Sequence, residues 1–330
     1  MNLGYYEIDG TDRFKKQYEQ QNSLYKEYRT NWNRFPKEYF LSEFPLHIDL
    51  EATNKCNLKC EYCYRNTIND ETGFMGFDLY KKVLDEATTF NLPSIKLNRR
   101  GEPLLHNNIS KMVKYAKEKG VVDVQFNTNG MLLNEIMSVQ LIDSKLDRLI
   151  VSLDGATQRT HESIRKGANY SVTVENIKRF IRIRNEQKKE KPFVRVQMTV
   201  SKNNEHEVSQ LIHNWKDIVN KISFNVRRKP TLFNSDKDND ISHVPCNQIW
   251  QRISVLWDGD VVMCCGDWTK KYLLGNAYHK TIYELWHSNK YNHIRDMHKK
   301  EQYNNISICK YCEYNRKRKD MQLEQFLNNI

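Results

Sequence analysis

The feature of this sequence that most restricts its fold is a regular alternation of apolar, β-branched runs with amphipathic helical patterns, which begins near Leu46. The apolar runs have the length of strands and lie at 46–53, 94–98, 121–127, 148–153, 193–200 and 222–226. The helical patterns between them lie at 77–90, 108–119, 134–143, 171–188 and 204–219. Strands that alternate with helices form a parallel sheet with right-handed crossovers, so the pattern predicts an α/β fold with ligands at the carboxyl ends of the strands. Six such units are too few for a complete eight-stranded barrel.

The segments on either side of this alternation predict separate units. Residues 1–45 place aromatic side chains at spacings of three, four and seven, which predicts one or two amphipathic helices packed across the main domain, with a substrate-recruitment arm as the alternative. These aromatic residues are Phe14, Tyr18, Tyr25, Tyr28 and Trp32. Residues 229–245 are polar and turn-rich, which is typical of a linker. Because 330 residues are too many for one simple core, we predict a core at 46–228 and a smaller domain at 246–330.

Composition limits the location and the partners of the chain. No segment approaches the roughly 18 apolar residues of a membrane span, and the first residues lack a secretion signal, so we expect a cytoplasmic protein. The net charge is +11, but the Lys and Arg residues are spread along the chain. This favours an acidic electron donor or a phosphorylated substrate over nucleic acid. Eight cysteines without an export signal favour metal ligation over disulfides.

Three of these cysteines, Cys56, Cys60 and Cys63, form a C-x3-C-x2-C run directly after the first predicted strand. Three closely spaced thiolates can hold three corners of a cubic iron–sulfur cluster and leave its fourth iron open. A structural zinc site would need four protein ligands, usually in paired C-x2-C units. A disulfide with a spare thiol is the other alternative. The spacing therefore favours an iron–sulfur cluster.

The stretch CNLKCEYC, which contains these cysteines, resembles the signature of the radical S-adenosylmethionine (SAM) enzymes. The resemblance implies a [4Fe-4S] cluster on the three cysteines, SAM on the open iron, and electron transfer into SAM that releases a 5′-deoxyadenosyl radical. It also implies a partial (β/α)6 TIM-like barrel, which agrees with the six predicted units. A low-potential electron donor such as flavodoxin or ferredoxin is implied as well, and Tyr62 is expected near the adenine of SAM.

Residues 98–103, with the letters NRRGEP, follow the second predicted strand and resemble the GGEP loop of this family, with Arg100 in place of the first glycine. The resemblance implies that Gly101, Glu102 and Pro103 contact the amino group of SAM. Their chemistry suits this role, because a glycine lets the backbone approach a ligand closely and a carboxylate accepts hydrogen bonds from an ammonium. An ordinary turn is the alternative.

Polar motifs also follow the third and fourth predicted strands. The motifs N-T-N-G and S-L-D-G resemble family segments that line the ribose and carboxylate of SAM, with Thr128, Asn129, Ser152 and Asp154 as candidate contacts. Arg165, which follows a short helical pattern, is a candidate partner for the SAM carboxylate; a surface arginine is the alternative. Asn-Gly and Asp-Gly are also strong turn signals. The recurrence of these motifs at successive strand ends favours ligand binding.

The other five cysteines lie in the C-terminal part, around a predicted hairpin with an Asp-Gly turn. The pattern C…DGDVVMC…LGN…IYELW…CKYC resembles the SPASM or the shorter twitch extension of radical SAM enzymes. The resemblance implies an auxiliary [4Fe-4S] cluster, with zinc as the alternative. Its implied ligands are Cys246, Cys264, Cys309 and Cys312.

Cys265 is the spare thiol in this assignment. Adjacent residues of a strand point to opposite faces, so only one of Cys264 and Cys265 is expected to reach the cluster. Cys265 is then either a small buried side chain or, as in radical SAM epimerases, a hydrogen-atom donor to a substrate radical.

Together these features predict a radical SAM oxidoreductase that oxidises or epimerises a small polar substrate, such as a sugar, a cyclitol or a sugar nucleotide. Arg99, Arg100 and Arg195 are candidates to hold this substrate. No separate peptide-recognition domain is evident, but a peptide- or protein-modifying maturase with the same cofactors is the first alternative. A non-catalytic metal-binding protein with affinity for nucleic acid is the second.

Overall fold

The computed structural model describes residues 5–10, 22–227, 245–310 and 312. Within these ranges the strands are β1 Tyr5–Asp9, β2 His47–Leu50, β3 Ser94–Lys96, β4 Asp123–Thr128, β5 Arg148–Ser152, β6 Phe193–Val200, β7 Lys221–Val226, β8 Arg252–Val255, β9 Asp260–Val262 and β10 Leu273–Asn276. The α-helices are α1 Ser23–Glu38, α2 Phe77–Thr89, α3 Ile109–Glu118, α4 Glu135–Asp143, α5 Gln158–Ile164, α6 Tyr170–Glu186, α7 Val208–Trp215, α8 Ile282–Trp286, α9 Asn289–Lys299 and α10 Ser307–Lys310. Phe14, Tyr18, most of the predicted linker and the chain beyond Cys312 lie outside the described residues.

Every strand in the described ranges belongs to one mixed sheet, in the order β1-β7-β6-β5-β4-β3-β2-β8-β9-β10. Strands β2 to β7 are the six predicted strands, and they pair in parallel as the β/α alternation predicts. The order starts at β1 and ends at β10 without returning, so the sheet is an open, partial barrel. The predicted α/β fold with a partial barrel is therefore confirmed.

The C-terminal part continues the sheet of the core. Strand β8 lies parallel to β2, with Ile48 opposite Ile253 and Leu50 opposite Val255, and β9 and β10 follow in antiparallel pairing. Trp257, just after β8, lies beside the end of β2, since its N donates to Glu51 Oε2 at 3.5 Å. Strand β9 then runs back, with Val262 opposite Ser254, so Cys264 and Cys265 follow toward the start of β8. The proposed domain boundaries themselves stay a prediction.

The two faces of the barrel strands differ in polarity. In β6, Val194, Val196 and Met198 are buried, whereas Gln197 and Thr199 are half-buried and line an internal cavity. The apolar side chains of the strands belong to a core that also contains residues of the surrounding helices. Alternation along the strand then leaves the polar side chains inside the barrel. The sequence established this alternation but not which face lies inward.

Helix α1 packs at the end of the barrel where the parallel strands begin. Its Tyr25 and Tyr28 form a buried cluster with Leu46. The ring of Trp32 lies 5.9 Å from that of His47 in β2, and the carbonyl oxygen of Trp32 accepts a hydrogen bond of 2.6 Å from Gln251 Nε2. The helix thus contacts the starts of both β2 and β8.

The first described residues correct the expectation that residues 1–45 are helical, because Tyr5–Asp9 form strand β1 at the edge of the sheet, antiparallel to β7. Glu7 of this strand forms ion pairs with Arg195 at 2.9 Å and with Lys221 at 2.7 Å. The aromatic spacing that predicted helices begins only at Phe14, and the charge pairing that holds β1 involves residues about 200 positions away.

Among the helices of the described ranges, none combines the length and the apolar character needed to cross a membrane.

We predict that the C-terminal hairpin and the core unfold as one unit, because they share a sheet. The variant Ile253→Ala removes a fully buried side chain of β8 and should lower the free energy of unfolding by about 2–5 kcal/mol. The matched control Ile136→Ala, at a position that is 71% exposed, should change it by less than about 0.5 kcal/mol. Urea unfolding followed by circular dichroism and tryptophan fluorescence measures both. Two separate transitions, with the core transition unchanged, would show instead that the hairpin folds independently.

Candidate active site

The cysteine loop follows β2 and leads into a short 3-10 helix, Tyr64–Thr67. Its backbone is fixed by hydrogen bonds to the end of α5 and the residues after it, since Glu61 N donates to Ile164 O at 2.8 Å and Lys59 N donates to Lys166 O at 2.9 Å. Asn66 Nδ2 also donates to Cys60 O at 2.8 Å. The positions of the three thiols are therefore set by the fold before any ligand binds.

The three thiols, on Cys56, Cys60 and Cys63, are half-buried and close enough to interact electrostatically. Burial raises the pKa of the Cys60 thiol to about 11, and the Arg165 guanidinium opposes this increase. Burial also raises the pKa of Cys56. Neutral thiols in such a setting become thiolates when a cationic group binds to them. This donor set, three sulfur atoms on one ordered loop, fits three corners of a [4Fe-4S] cluster.

Gly101 and Glu102 attach the predicted SAM-contact loop to the cysteine loop. A Cβ atom at position 101 would lie 2.3 Å from the carbonyl oxygen of Thr53 and 2.5 Å from that of Lys55, so only glycine fits. Glu102 N donates to Lys55 O at 2.8 Å, and Pro103 begins the 3-10 helix Pro103–Leu105. The glycine is therefore required by the close approach of two backbones.

The Glu102 carboxylate is buried and organises the ends of two strands. It accepts hydrogen bonds from Thr128 Oγ1 at 2.7 Å, from Asn129 N at 2.7 Å and from Leu104 N at 3.1 Å. Burial raises its pKa, and these hydrogen bonds oppose the increase. Asn129 Nδ2 in turn donates to Asn57 Oδ1 at 2.8 Å. The sequence did not single out Asn57, which connects the end of β4 to the cysteine loop.

Asp154 and Arg165 form an ion pair of 2.8 Å, and both side chains are largely buried. Asp154 also accepts a hydrogen bond of 2.7 Å from Thr199 N. Ser152 lies half-buried at the end of β5. The structure thus places the predicted SAM contacts around the carboxyl ends of the parallel strands, where Glu102 binds Thr128 and Asn129 and Asp154 binds Arg165.

Tyr62, in the cysteine loop, lines the internal cavity. The guanidinium carbon of Arg227 lies 4.3 Å from the centre of the Tyr62 ring. Burial is the main cause of the raised pKa of the Tyr62 hydroxyl, which is therefore neutral at physiological pH.

The cavity has a volume of about 480 Å³ and lies inside the barrel, between the cysteine loop and the C-terminal hairpin. Tyr62 and Tyr64 line the side next to the cysteine loop, and Cys265 and Trp268 line the side next to the C-terminal hairpin. Uncharged polar side chains from the strands cover much of its wall, namely Asn98, Asn127, Gln197, Thr199 and Asn225. Asp49 and Lys96 also line it. Charged residues inside otherwise apolar strands are the signal by which these two could have been found from the sequence.

The three arginines predicted to hold a substrate differ in position. Arg99 lines the cavity. Arg195, in contrast, pairs with Glu7. Arg100 has a side chain that is only 1% exposed and pairs with Glu51 at 2.7 Å and Asp70 at 2.6 Å. The structure places only Arg99 of the three on the cavity wall, so the prediction is corrected for Arg100 and Arg195.

The C-terminal thiols form a second group. Cys246 and Cys309 are buried, and Cys264 and Cys312 are half-buried. Burial and the neighbouring thiols raise the pKa of Cys264 well above its usual value. In the described part of the chain no three potential ligands converge on a point that suits a single metal ion, although the thiols are close enough to interact electrostatically. A sulfur donor set of this kind fits an iron–sulfur cluster, whose ligands are spread over several irons.

Cys265 differs from its neighbour Cys264 in lining the cavity. Its thiol donates a hydrogen bond of 3.0 Å to Gln248 Oε1. Another residue that the sequence did not single out, the buried His298, accepts a hydrogen bond of 3.2 Å through Nδ1 from Cys246 N.

We predict that Arg100 is required for stability rather than for ligand binding. The variant Arg100→Gly, which restores the glycine of the GGEP pattern, leaves the fully buried Glu51 without its bidentate partner. Such a loss should lower the free energy of unfolding by about 3–5 kcal/mol. The double variant Arg100→Gly/Glu51→Gln should recover part of this loss, because it removes the buried charge. Chemical denaturation measures both, and a single variant as stable as the wild type would contradict the assignment.

Comparisons with known proteins agree with this geometry. The family model of the radical SAM superfamily matches residues 50–213, and that of the SPASM iron–sulfur cluster-binding domain matches residues 246–313. A relative from Pyrococcus furiosus, described as a tungsten-containing aldehyde ferredoxin oxidoreductase cofactor-modifying protein, is 27% identical over 309 residues, which cover 80% of this chain and 86% of the relative.

Solved structures show the same fold. The crystal structure of BtrN in complex with AdoMet and 2-DOIA is similar with a TM-score of 0.55 and 21% identity, over 83% of this chain and 94% of BtrN. Streptococcus suis SuiB bound to precursor peptide SuiA is similar with a TM-score of 0.60 and 16% identity, over 83% of this chain and 72% of SuiB. The chain therefore belongs to the radical SAM superfamily, whose cofactors are a [4Fe-4S] cluster and SAM, and its C-terminal SPASM domain is one that holds auxiliary iron–sulfur centres.

Proposed function

We propose that this protein is a radical SAM oxidoreductase that abstracts hydrogen from a small polar substrate, such as a sugar, a cyclitol or a sugar nucleotide, and thereby oxidises or epimerises it. The observation that carries the proposal is the polar cavity of about 480 Å³ between Tyr62 and Cys265. This volume is in the range of about 300–1,000 Å³ that is typical of small-molecule sites. The amide and hydroxyl groups in its lining suit a substrate with several hydroxyl groups.

The residues proposed to hold the cofactors lie on two sides of this cavity, the cysteine loop on one and the C-terminal hairpin on the other. Cys56, Cys60 and Cys63 would hold the first cluster, and Cys246, Cys264, Cys309 and Cys312 the auxiliary cluster. SAM would be held by Tyr62, Gly101, Glu102, Pro103, Thr128, Asn129, Ser152, Asp154 and Arg165. When bound, the first cluster and SAM supply radical-initiated abstraction of a hydrogen atom from an unactivated C–H bond.

The hydrogen-bond pattern of Glu102 supports its proposed role. Its Oε2 atom accepts one hydrogen bond, from Asn129 N, and retains capacity for an ammonium donor. Arg165 is fixed through Asp154, so its orientation is set before a carboxylate binds. Both side chains thus suit the charged ends of an amino acid.

Two aromatic side chains would shield the reaction from water. Tyr64 and Trp268 both line the cavity, and their ring centres are 4.1 Å apart. One belongs to the segment after the cysteine loop and the other to the turn after β9, so the pair bridges the two sides of the cavity. Exclusion of water protects reactive intermediates from side reactions.

Cys265 decides between the two outcomes in this proposal. Its thiol lines the cavity, which supports the role of hydrogen-atom donor to a substrate radical and hence epimerisation. If Cys265 instead remains inert, the auxiliary centre held by the other four C-terminal cysteines would supply an acceptor for one electron, and loss of that electron and of a proton from the substrate radical would give oxidation. A low-potential donor such as flavodoxin or ferredoxin would supply electrons to the first cluster.

A maturase function is the second candidate. The Pyrococcus furiosus relative, which aligns with 80% of this chain, is described as a cofactor-modifying protein. The cavity would then receive a side chain of a peptide or protein, or a bound cofactor, rather than a free metabolite. Retention of a peptide by the immobilised protein would favour this candidate.

We predict that anaerobic reconstitution loads about eight irons per chain, as two four-iron clusters require. The variant Cys60→Ser should lose about four irons and all release of 5′-deoxyadenosine from SAM, whereas Cys264→Ser should lose about four irons but retain the first cluster. The control Cys265→Ser should retain about eight irons. Iron analysis and electron paramagnetic resonance measure these amounts.

Two outcomes would contradict this assignment. Stoichiometric zinc without SAM cleavage would favour the non-catalytic metal-binding protein. Loss of four irons in Cys265→Ser, but not in Cys264→Ser, would exchange the roles of the two neighbouring cysteines.

We further predict that the isotope content of the product distinguishes the two reactions. In deuterated water, epimerisation should place a solvent deuterium on carbon, because a thiol exchanges its hydrogen with solvent. Oxidation should give a mass lower by about two units without deuterium at carbon. If the reaction is epimerisation, the Cys265→Ser variant should abolish deuterium incorporation. If it is oxidation, the variant should leave the product unchanged. Mass spectrometry of reactions with candidate sugars and cyclitols makes the measurement, and modification of peptides alone would overturn the proposal of a small substrate.

A further inference from the structure

The cavity wall carries an excess of positive charge. Its charged residues are one carboxylate and four cations, namely Asp49, Lys96, Arg99, Arg227 and Arg252. The single carboxylate is already engaged, because Asp49 Oδ1 lies 3.3 Å from His47 Nε2 and Asp49 Oδ2 lies 3.5 Å from Arg252 Nη1. Ser254 Oγ also donates to Asp49 Oδ2 at 3.2 Å. Arg252 shares this carboxylate and Arg227 pairs with Glu61 at 3.8 Å, and burial lowers the pKa of Lys96. The positive charge that can attract an anion therefore rests mainly on Arg99.

Arg99 is the cation with the most unusual contacts. Its Nη2 atom donates to the carbonyl oxygens of Asp267 and Cys264, and its guanidinium carbon lies 5.2 Å from the ring centre of Trp268. These contacts fix the plane of the guanidinium against the turn after β9. Among the described residues, the buried atoms Nε and Nη1 of Arg99 have no hydrogen-bond partner.

These two nitrogen atoms carry three of the five N–H donors of the side chain. Buried donors without acceptors are unfavourable, and a ligand that supplies acceptors removes this penalty. The planar, permanently charged guanidinium matches the geometry of carboxylate and phosphate oxygens. The cavity wall already carries several uncharged side chains that can form hydrogen bonds with hydroxyl groups. Arg99 therefore adds a specific preference for an oxyanion.

We infer that the substrate carries an oxyanion, a phosphate or a carboxylate, and that Arg99 binds this group at the wall of the cavity. The inference rests on the proposed function, because it takes the cavity as the substrate site. It narrows the substrate class from polar hydroxylated compounds to anionic ones. The hydrogen bonds from Arg99 Nη2 to the C-terminal turn would hold the guanidinium in one orientation at the cavity wall.

The test uses the reconstituted protein with both clusters and two simple probes, inorganic phosphate and acetate, titrated by calorimetry at constant ionic strength. The wild type should bind at least one probe saturably. Arg99→Met should weaken that binding at least tenfold, and Arg99→Lys should weaken it less, because lysine keeps the charge but not the planar donors. The matched control Arg182→Met, on the exposed face of α6 beside Glu186, should bind like the wild type.

The arms of the experiment separate the alternatives. Tighter binding of phosphate identifies a phosphate group, and tighter binding of acetate identifies a carboxylate. Saturable binding that is equal in the wild type and in Arg99→Lys and Arg99→Met, or no saturable binding in the wild type, overturns the inference. The iron content of each variant shows whether loss of the hydrogen bonds from Arg99 to the C-terminal turn has disturbed the auxiliary site. If Arg99→Met loses iron, the comparison is made between the wild type and Arg99→Lys, provided that Arg99→Lys retains its full iron content.

Failure of this inference and failure of the proposed function give different results. Turnover of an uncharged sugar or cyclitol by a protein that binds neither probe would retain the proposed function and reject the oxyanion. Probe binding that depends on Arg99, in a protein that modifies only peptides, would reject the small substrate and retain the oxyanion, which would then belong to a peptide side chain or terminus.

Discussion

The parallel pairing of β2 with β8 is the interaction on which the rest of the site depends. It connects the first strand of the barrel to the C-terminal hairpin, and it brings Glu51 next to residues of both parts. The Glu51 carboxylate binds the Arg100 side chain, and Glu51 N donates to Val255 O at 2.9 Å. The cysteine loop and the SAM-contact loop therefore extend from the carboxyl ends of two neighbouring strands, whereas β9 runs back and leads to the turn that carries Cys264 and Cys265. A cavity between the two groups of thiols follows from this arrangement.

The polarity of the strands determines what this cavity can hold. The helices bury the apolar face of each strand, so the alternate polar residues line the interior and cannot be covered by hydrophobic packing. In an ordinary eight-stranded barrel large branched side chains fill this space. Here Asn98, Gln197 and Thr199 line the interior of the barrel, which remains a polar cavity. The same alternation that makes the outer core stable thus provides a polar chamber.

Local patterns in the sequence predicted the elements well, because period-two and helical periodicities depend on near neighbours. The six core strands and the cysteine loop are examples. Contacts between distant residues were not predictable in this way. The roles of Arg100 and Arg195 depend on Glu51, Asp70 and Glu7, and no local pattern indicates these partners. The inward face of β6, the edge strand β1 and the exposure of Cys265 to the cavity likewise follow from packing. Neither the local patterns nor the contacts between distant residues identify the substrate, because the motifs determine how the radical is made and not which molecule it attacks.

The position of β2 between β3 and β8 also sets an order of events during synthesis. One neighbour, β3, follows within about 47 residues, whereas the contact between Asp49 and Ser254 of β8 spans 205 residues. Until that distant segment leaves the ribosome, one side of β2 is an unpaired edge beside the cysteine loop. Unpaired edges favour association with other chains, and closing so long a loop is slow. The nascent chain therefore has an interval in which the cysteine loop is adjacent to an open edge, and assistance to folding or cluster loading would act during that interval.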